Sequence, residues 1–135
     1  MKELCKTIGG LSVPYIFVKN GVTKPNIFIM ARQHPGETPG SLMMDGVMDL
    51  ILGVSFEAQI LRSTYNIYMV PMVNPDGVVH GNYRCNLNGV DLNRIWHCPH
   101  RELHDSIYHI KELIRGLNRN GGVSLILDLH GHSKK

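Results

Sequence analysis

Several large classes of protein are excluded by what this sequence lacks. Its 135 residues hold three cysteines, Cys5, Cys85 and Cys98, an odd number without framework spacing. That argues against a disulfide-stapled secreted scaffold and for a reduced, cytoplasmic setting. No CxxC pair exists, so zinc-ribbon readings fail as well. No stretch approaches the ~20 apolar residues of a membrane span. Met1 to Phe17 carries no apolar block of the kind that signal peptides use. Lys and Arg number 14 against 11 Asp and Glu, a formal net charge of +3, and the basic residues are scattered. A nucleic-acid-binding arm needs a denser cationic patch. Repeats, low-complexity tracts and linkers are absent too, and the length suits one domain rather than two.

What is present is the apolar content of a globular core, with a hydrophobic fraction of 43% and a mean hydropathy of -0.08. Four runs read as strands: Val13 to Val18, Asn26 to Ala31, Tyr65 to Val70 and Val123 to Leu129. Each is bounded by turn or breaker residues, and each is nearly continuous in its apolarity. That pattern predicts strands covered on both faces. One helix is expected from Thr38 as N-cap and Pro39 at its first position. Met43, Val47, Leu50, Ile51 and Val54 form its apolar stripe, with Met43, Met44 and Met48 as core fillers. A second helix is expected from Leu103 to Arg119, with Leu103, Ile107, Ile110, Ile114 and Leu117 inward and Asn120-Gly121 as its stop. The order β-β-α-β-loop-α-β predicts an α/β fold, an open sheet with covering helices.

The polar motifs cluster where such folds bind ligands, beyond the carboxyl ends of strands. Arg32-Gln33-His34-Pro35-Gly36-Glu37-Thr38-Pro39 follows the second run, and its His34 and Glu37 can converge on one cation. Asp128-Leu129-His130-Gly131-His132-Ser133 closes the last run and supplies a further imidazole. Two histidines and one carboxylate form an open catalytic zinc set, and the same ligand types also hold non-haem iron. Spacing leaves His130 and His132 as alternatives, and Asp128 is placed to orient an imidazole. Asn74-Pro75-Asp76-Gly77 reads as a turn. The loop beyond it carries Arg84, Asn93 and Arg94, groups suited to clamping a carboxylate and a developing oxyanion. His97, His100, His104 and His109 lie near the second helix and away from strand ends, and read as surface residues.

Taken together, the strings CKTIGG, HPGETP, NPDG, GNYRC, DLNR and DLHGHSKK resemble the zinc metallocarboxypeptidases, most closely the cytosolic carboxypeptidase subfamily. The resemblance spans nearly the whole chain. It implies a carboxypeptidase-like (phosphorylase/hydrolase-like) fold, a twisted mixed sheet, here truncated. It implies one Zn2+ held by His34, Glu37 and His130, with Arg84 polarising the scissile carbonyl. It also implies that Asn93 and Arg94 bind the substrate's C-terminal carboxylate. The expected substrates are peptide or protein C-terminal tails, such as the glutamate-rich tails of tubulin. The family's general-base Glu belongs to a part beyond HGHS. Residues 1–135 are therefore expected to form a partial catalytic domain, inactive alone, with an open sheet edge that needs the missing half or a partner. Two rival readings are an N-acyl amino-acid deacylase of the aspartoacylase type and a non-catalytic binding fragment.

Overall fold

A computed structural model describes residues 1–131. Five strands form one mixed sheet: β1 (Lys2–Lys6), β2 (Ser12–Val18), β3 (Asn26–Ala31), β4 (Asn66–Val70) and β5 (Val123–Leu129), in the order β1-β2-β4-β3-β5. β3 runs parallel to both β4 and β5, whereas β2 is antiparallel to β1 and β4. The parallel pairs require crossovers. Helices α1 (Pro39–Leu52) and α2 (Phe56–Thr64) lead from β3 to β4. The short α3 (Pro75–Val79), a 3-10 turn at Leu92–Arg94 and α4 (Asp105–Arg119) lead from β4 to β5.

The continuous apolarity of β3 and β4 has the cause expected from the sequence. Alternate side chains enter two cores. Phe28, Met30, Tyr68 and Val70 pack with Ile107, Ile110 and Leu117 of α4. Ile27, Ile29, Ala31, Ile67 and Met69 pack with Met44 and Ile51 of α1. β5 departs from that expectation. It pairs with β3 alone among the described residues, and Leu125, Ile126 and Leu127 are exposed.

Other elements differ from the sequence reading. β1 was not expected, because Lys-Glu-Leu-Cys-Lys is polar and a register shift between Glu3 and Cys5 breaks its alternation. α2 was not expected either. It is short and buries only Ala58, with Phe56 and Ile60 exposed and Leu61 half-buried, although Ser55 caps it by accepting from the Ala58 N–H. Asn74-Pro75-Asp76-Gly77 opens α3 rather than forming a plain turn, with the Asn74 side chain accepting from the Gly77 N–H at 3.0 Å. α4 starts at Asp105, which leaves Leu103 outside it and exposed.

The inward stripe of α1 is rotated from the expected one. Met43, Leu50 and Val54 are exposed, and Gly40, Met44 and Ile51 are buried. The cause lies at Gly40, where a Cβ would come within 2.7 Å of the Leu129 carbonyl oxygen. Only glycine lets the helix approach the end of β5 so closely, and the ridge that starts there faces the sheet. Thr38 holds the N-cap position as expected, but its hydroxyl makes no capping bond.

Candidate metal centre and substrate cavity

The parallel strands β3 and β5 end side by side, Met30 against Asp128 and Ala31 against Leu129. The segments leaving them therefore start within a few ångströms of each other. After β3 the chain turns sharply at Arg32, whose φ of 57° is unusual for a residue with a side chain. The Arg32 guanidinium holds that turn by donating to the Pro35 carbonyl and the Ser41 hydroxyl. From below, the Asn74 N–H donates to the Arg32 carbonyl. Gly77 lies so close that a Cβ there would come within 2.3 Å of Pro35. His34 and Glu37 are thus fixed by a packed, hydrogen-bonded bend.

Three donor groups converge at the strand ends. His34 Nδ1 lies 2.8 Å from Glu37 Oε1, and His130 Nδ1 lies 2.8 Å from Glu37 Oε2. One ligand atom from each of these residues falls within 4.8 Å of the other two. The far nitrogens meet carboxylates as well: His34 Nε2 faces Asp91 Oδ1 at 3.0 Å, and His130 Nε2 faces Asp128 Oδ2 at 2.6 Å. A neutral imidazole has one N–H and cannot donate at both nitrogens. A cation among the two Nδ1 atoms and Glu37 removes that conflict, leaving each Nε2–H to its own carboxylate. The donor set therefore fits Zn2+, a borderline ion that takes His₂Glu ligation with a fourth position open. Carboxylate-oriented imidazoles are the usual outer support of such sites.

The electrostatics agree with a cation-binding cluster. Burial opposes ionisation of Glu37, but the Gly131 N–H at 2.9 Å and both imidazoles outweigh it and hold the carboxyl below its ordinary value. Asp91 is also lowered: burial opposes its charge, and bonds from His34, the Asn93 N–H and Arg84 prevail. Burial pushes Asp128 up, a rise that its bond to His130 only partly offsets. Burial works against the charge on His130, yet Asp128 and Glu37 together raise it.

Of the residues expected from the sequence, His34, Glu37 and His130 are brought together. His132 lies outside the described residues. Arg84, Asn93 and Arg94 line the same cavity of about 280 Å3 as the three ligands, together with Tyr83 and Gly131. Arg84 Nε donates to Asp91 Oδ2 at 2.7 Å, and the exposed Arg94 side chain donates, among the described residues, to the Asn93 carbonyl alone. A larger hollow of about 520 Å3 lies at the amino ends of β3 and β4, where Asn26 and Asn66 bond to helix and loop carbonyls. Among the described residues it holds no cluster of metal-ligating groups. His97 and His100 are exposed, and His104 and His109 are half-buried, all away from the cavity.

Sequence reasoning missed two residues. Asp91 bridges His34, Arg84 and the Asn93 N–H, and its only local signal is the turn-capping pattern Asp91-x-Asn93. Gln33 is wholly buried beside His34 and bonds to Asp128, and nothing in the local sequence marks it.

Known proteins resemble this chain in sequence and in fold. Cytosolic carboxypeptidase 1 of Danio rerio is 42% identical over 147 residues, which cover 99% of this chain and 13% of that protein. Cytosolic carboxypeptidase 2 of Xenopus tropicalis is 42% identical over 142 residues, covering 100% of this chain and 15% of that protein. The chain thus spans a small part of the relatives it matches. Among solved structures, a metallo-carboxypeptidase from Burkholderia cenocepacia superposes with a TM-score of 0.87 at 30% identity, covering 97% of this chain and 36% of that one. An aspartoacylase family protein from Mesorhizobium loti reaches 0.69 at 22% identity over 95% of this chain and 38% of that one, a likeness of fold alone. Residues 1–133 match the zinc carboxypeptidase family profile, and with a donor set suited to zinc at its strand ends, the chain belongs to the zinc carboxypeptidase family.

Proposed function

We propose that residues 1–135 form part of a zinc-dependent carboxypeptidase catalytic domain and supply its metal-binding and substrate-binding arms. One observation carries this reading: His34, Glu37 and His130 converge in a cavity that also holds Arg84, Asn93 and Arg94. His34, Glu37 and His130 would hold the zinc ion, which would supply Lewis-acid polarisation of a carbonyl and activation of water near neutral pH. The chain's own residues then divide the work. Asp91 and Asp128 orient the two imidazoles. Asn93 and Arg94 bind the free carboxylate of a peptide, since a guanidinium fork matches a carboxylate and an adjacent amide adds a donor. Arg84, held by Asp91 through Nε and lining the same cavity, is the donor that stabilises the carbonyl that gains charge during attack.

The substrate is a protein tail ending in, or branched with, glutamate, as in tubulin. The support is the charge of the cavity, which has two arginines and only one carboxylate, Glu37, among its described lining residues. Glu37 is itself a ligand, so the proton-transferring base must come from elsewhere. The chain alone is therefore inactive, and completing the site takes the remainder of a larger domain or a partner. A cytoplasmic location fits the free cysteines and the names of the relatives. No helix among the described residues is long and apolar enough to cross a membrane.

The test uses this chain joined to the rest of a complete catalytic domain. It should bind one zinc and release glutamate from a peptide with a free C-terminus, and it should not act on the same peptide amidated there. Hydrolysis of N-acyl aspartate in place of the peptide would transfer the site to the deacylase reading. Zinc binding without either turnover would leave the binding-fragment reading.

A further inference from the structure

Gln33 is wholly buried, one residue before a candidate ligand, and its side chain is committed at both ends. The Trp96 indole N–H donates to Gln33 Oε1 at 2.7 Å, and Gln33 Nε2 donates to Asp128 Oδ2 at 2.8 Å. That same oxygen faces His130 Nε2 at 2.6 Å. An indole nitrogen can only donate, so the amide oxygen must point at Trp96 and the amide nitrogen at Asp128. Asp128 Oδ2 then receives one N–H from Gln33 and is left as an acceptor. Glu37 Oε2 likewise accepts from the Gly131 N–H, so two acceptors compete for the one hydrogen of the neutral ring. Asp128 is the closer, at 2.6 Å against 2.8 Å, which places the hydrogen on His130 Nε2 and the lone pair on Nδ1, facing Glu37.

We propose that Gln33, locked by Trp96, is a positioning residue that fixes the ring orientation and tautomer of His130 through Asp128, so that Nδ1 is presented to the metal. The inference rests on His130 being a ligand and goes beyond that reading. It assigns a role to two side chains that touch neither metal nor cavity. Trp96 stands two residues after Arg94 and three after Asn93, in the loop that carries the candidate carboxylate clamp. Lys111 ties that loop to α4 by donating to the Trp96 and His97 carbonyls. The substrate loop and the second imidazole are therefore joined by a single directional chain of hydrogen bonds.

The test compares wild type, Gln33→Leu and Trp96→Phe in the intact protein, with Asn26→Ala as a control for general destabilisation. Asn26 holds the carboxyl end of α4 at the far end of β3 and has no part in the site. Nitrogen-15 NMR of the metal-free protein, at a pH where the ring is neutral, reads the His130 tautomer without any metal. Wild type and Asn26→Ala should show the hydrogen on Nε2, and the other two variants a mixture. Zinc affinity, measured by chelator competition, should fall about 10–100-fold in Gln33→Leu and Trp96→Phe. The visible spectrum of the cobalt-loaded protein should shift in those two variants alone. Should Gln33→Leu fail to fold, Trp96→Phe carries both readouts. An unchanged tautomer and unchanged zinc affinity in folded Trp96→Phe would overturn the proposal while leaving His130 a ligand. A wild type that holds the Nε2–H tautomer yet binds no zinc would instead overturn the metal site on which the proposal rests.

Discussion

Replacing Asp91 by Asn isolates the charge that links the metal site to the substrate arm. Asp91 Oδ1 accepts from His34 Nε2 at 3.0 Å and from the Asn93 N–H at 2.9 Å, and Oδ2 accepts from Arg84 Nε at 2.7 Å. An asparagine oxygen can keep the first two bonds, but as neutral contacts they have roughly half the strength. Its amide nitrogen meets the Arg84 donor and cannot replace the third. Because Arg84 is 42% exposed, that ion pair is screened and contributes less than ~1 kcal/mol. Adding the weakened bonds gives a loss of about 1–2 kcal/mol, or roughly 3–8 °C in Tm for a chain of this size. Zinc affinity should fall about 10-fold or more, because His34 loses its anionic anchor. The loss should also depend on pH with a definite sign. The Asp91 carboxyl is held below its ordinary value in the folded protein, so its stabilisation is full above about pH 4 and disappears as pH falls through the lowered value. Thermal melts of the metal-free proteins should therefore differ most at pH 6 and converge in acid, with chelator competition reporting the affinity. An Asp91→Asn protein with wild-type zinc affinity, or a Tm difference that persists unchanged below pH 3, would refute the reasoning.

Three further outcomes are expected. In the completed catalytic domain, Arg94→Ala should raise KM and Arg84→Ala should lower kcat; for the exposed Arg94 the stability change should stay within ~0.5 kcal/mol, and a large Tm loss without a kinetic effect would make it structural. Gly77→Ala should destabilise by about 1–3 kcal/mol, because its methyl group collides with Pro35 beneath the His34–Glu37 bend; equilibrium denaturation reads the cost, and a stability equal to wild type would show that the bend yields easily. The 135-residue chain purified alone should elute as an oligomer or aggregate, because among the described residues β5 pairs with β3 alone and exposes Leu125, Ile126 and Leu127. It should also release no glutamate, because Glu37 is the one carboxylate among the described cavity residues. A monodisperse, cooperatively melting monomer with turnover would contradict this.

The runs of β3 and β4 were legible in the sequence because burial on both faces leaves a composition that no loop or amphipathic helix shares. Those of β2 and β5 were legible by the same apolarity, although both strands are more exposed. The candidate donor strings were legible for a different reason. A metal site would need particular donors at the ends of such strands, and His34, Glu37 and His130, which the fold brings together, stand out against neighbours chosen for packing. Local pattern failed where an element is held by something distant. α2 buries one residue and is tied down by Arg62, which donates to the Ile51 and Gly53 carbonyls at the end of α1. β1 is a polar edge, and the inward ridge of α1 depends on the approach of Gly40 to β5 rather than on its own apolar spacing.

By itself, then, the sequence determined the α/β class, the core strands and the strings from which the metal ligands and the cavity arginines are drawn. Those are properties of short segments, read from composition and spacing within about fifteen residues. Only the tertiary structure decided which groups meet. It set β5 beside β3, so that His130 arrives at Glu37 from 93 residues away. It brought Asp91 to His34 across 57 residues, and Asp128 to Gln33 across 95. Hydrogen bonds and metal ligation act over about 3 Å, and no local pattern encodes a distance between segments so far apart. Among the described residues β5 pairs with β3 alone and exposes Leu125, Ile126 and Leu127, although its sequence reads as a strand covered on both faces.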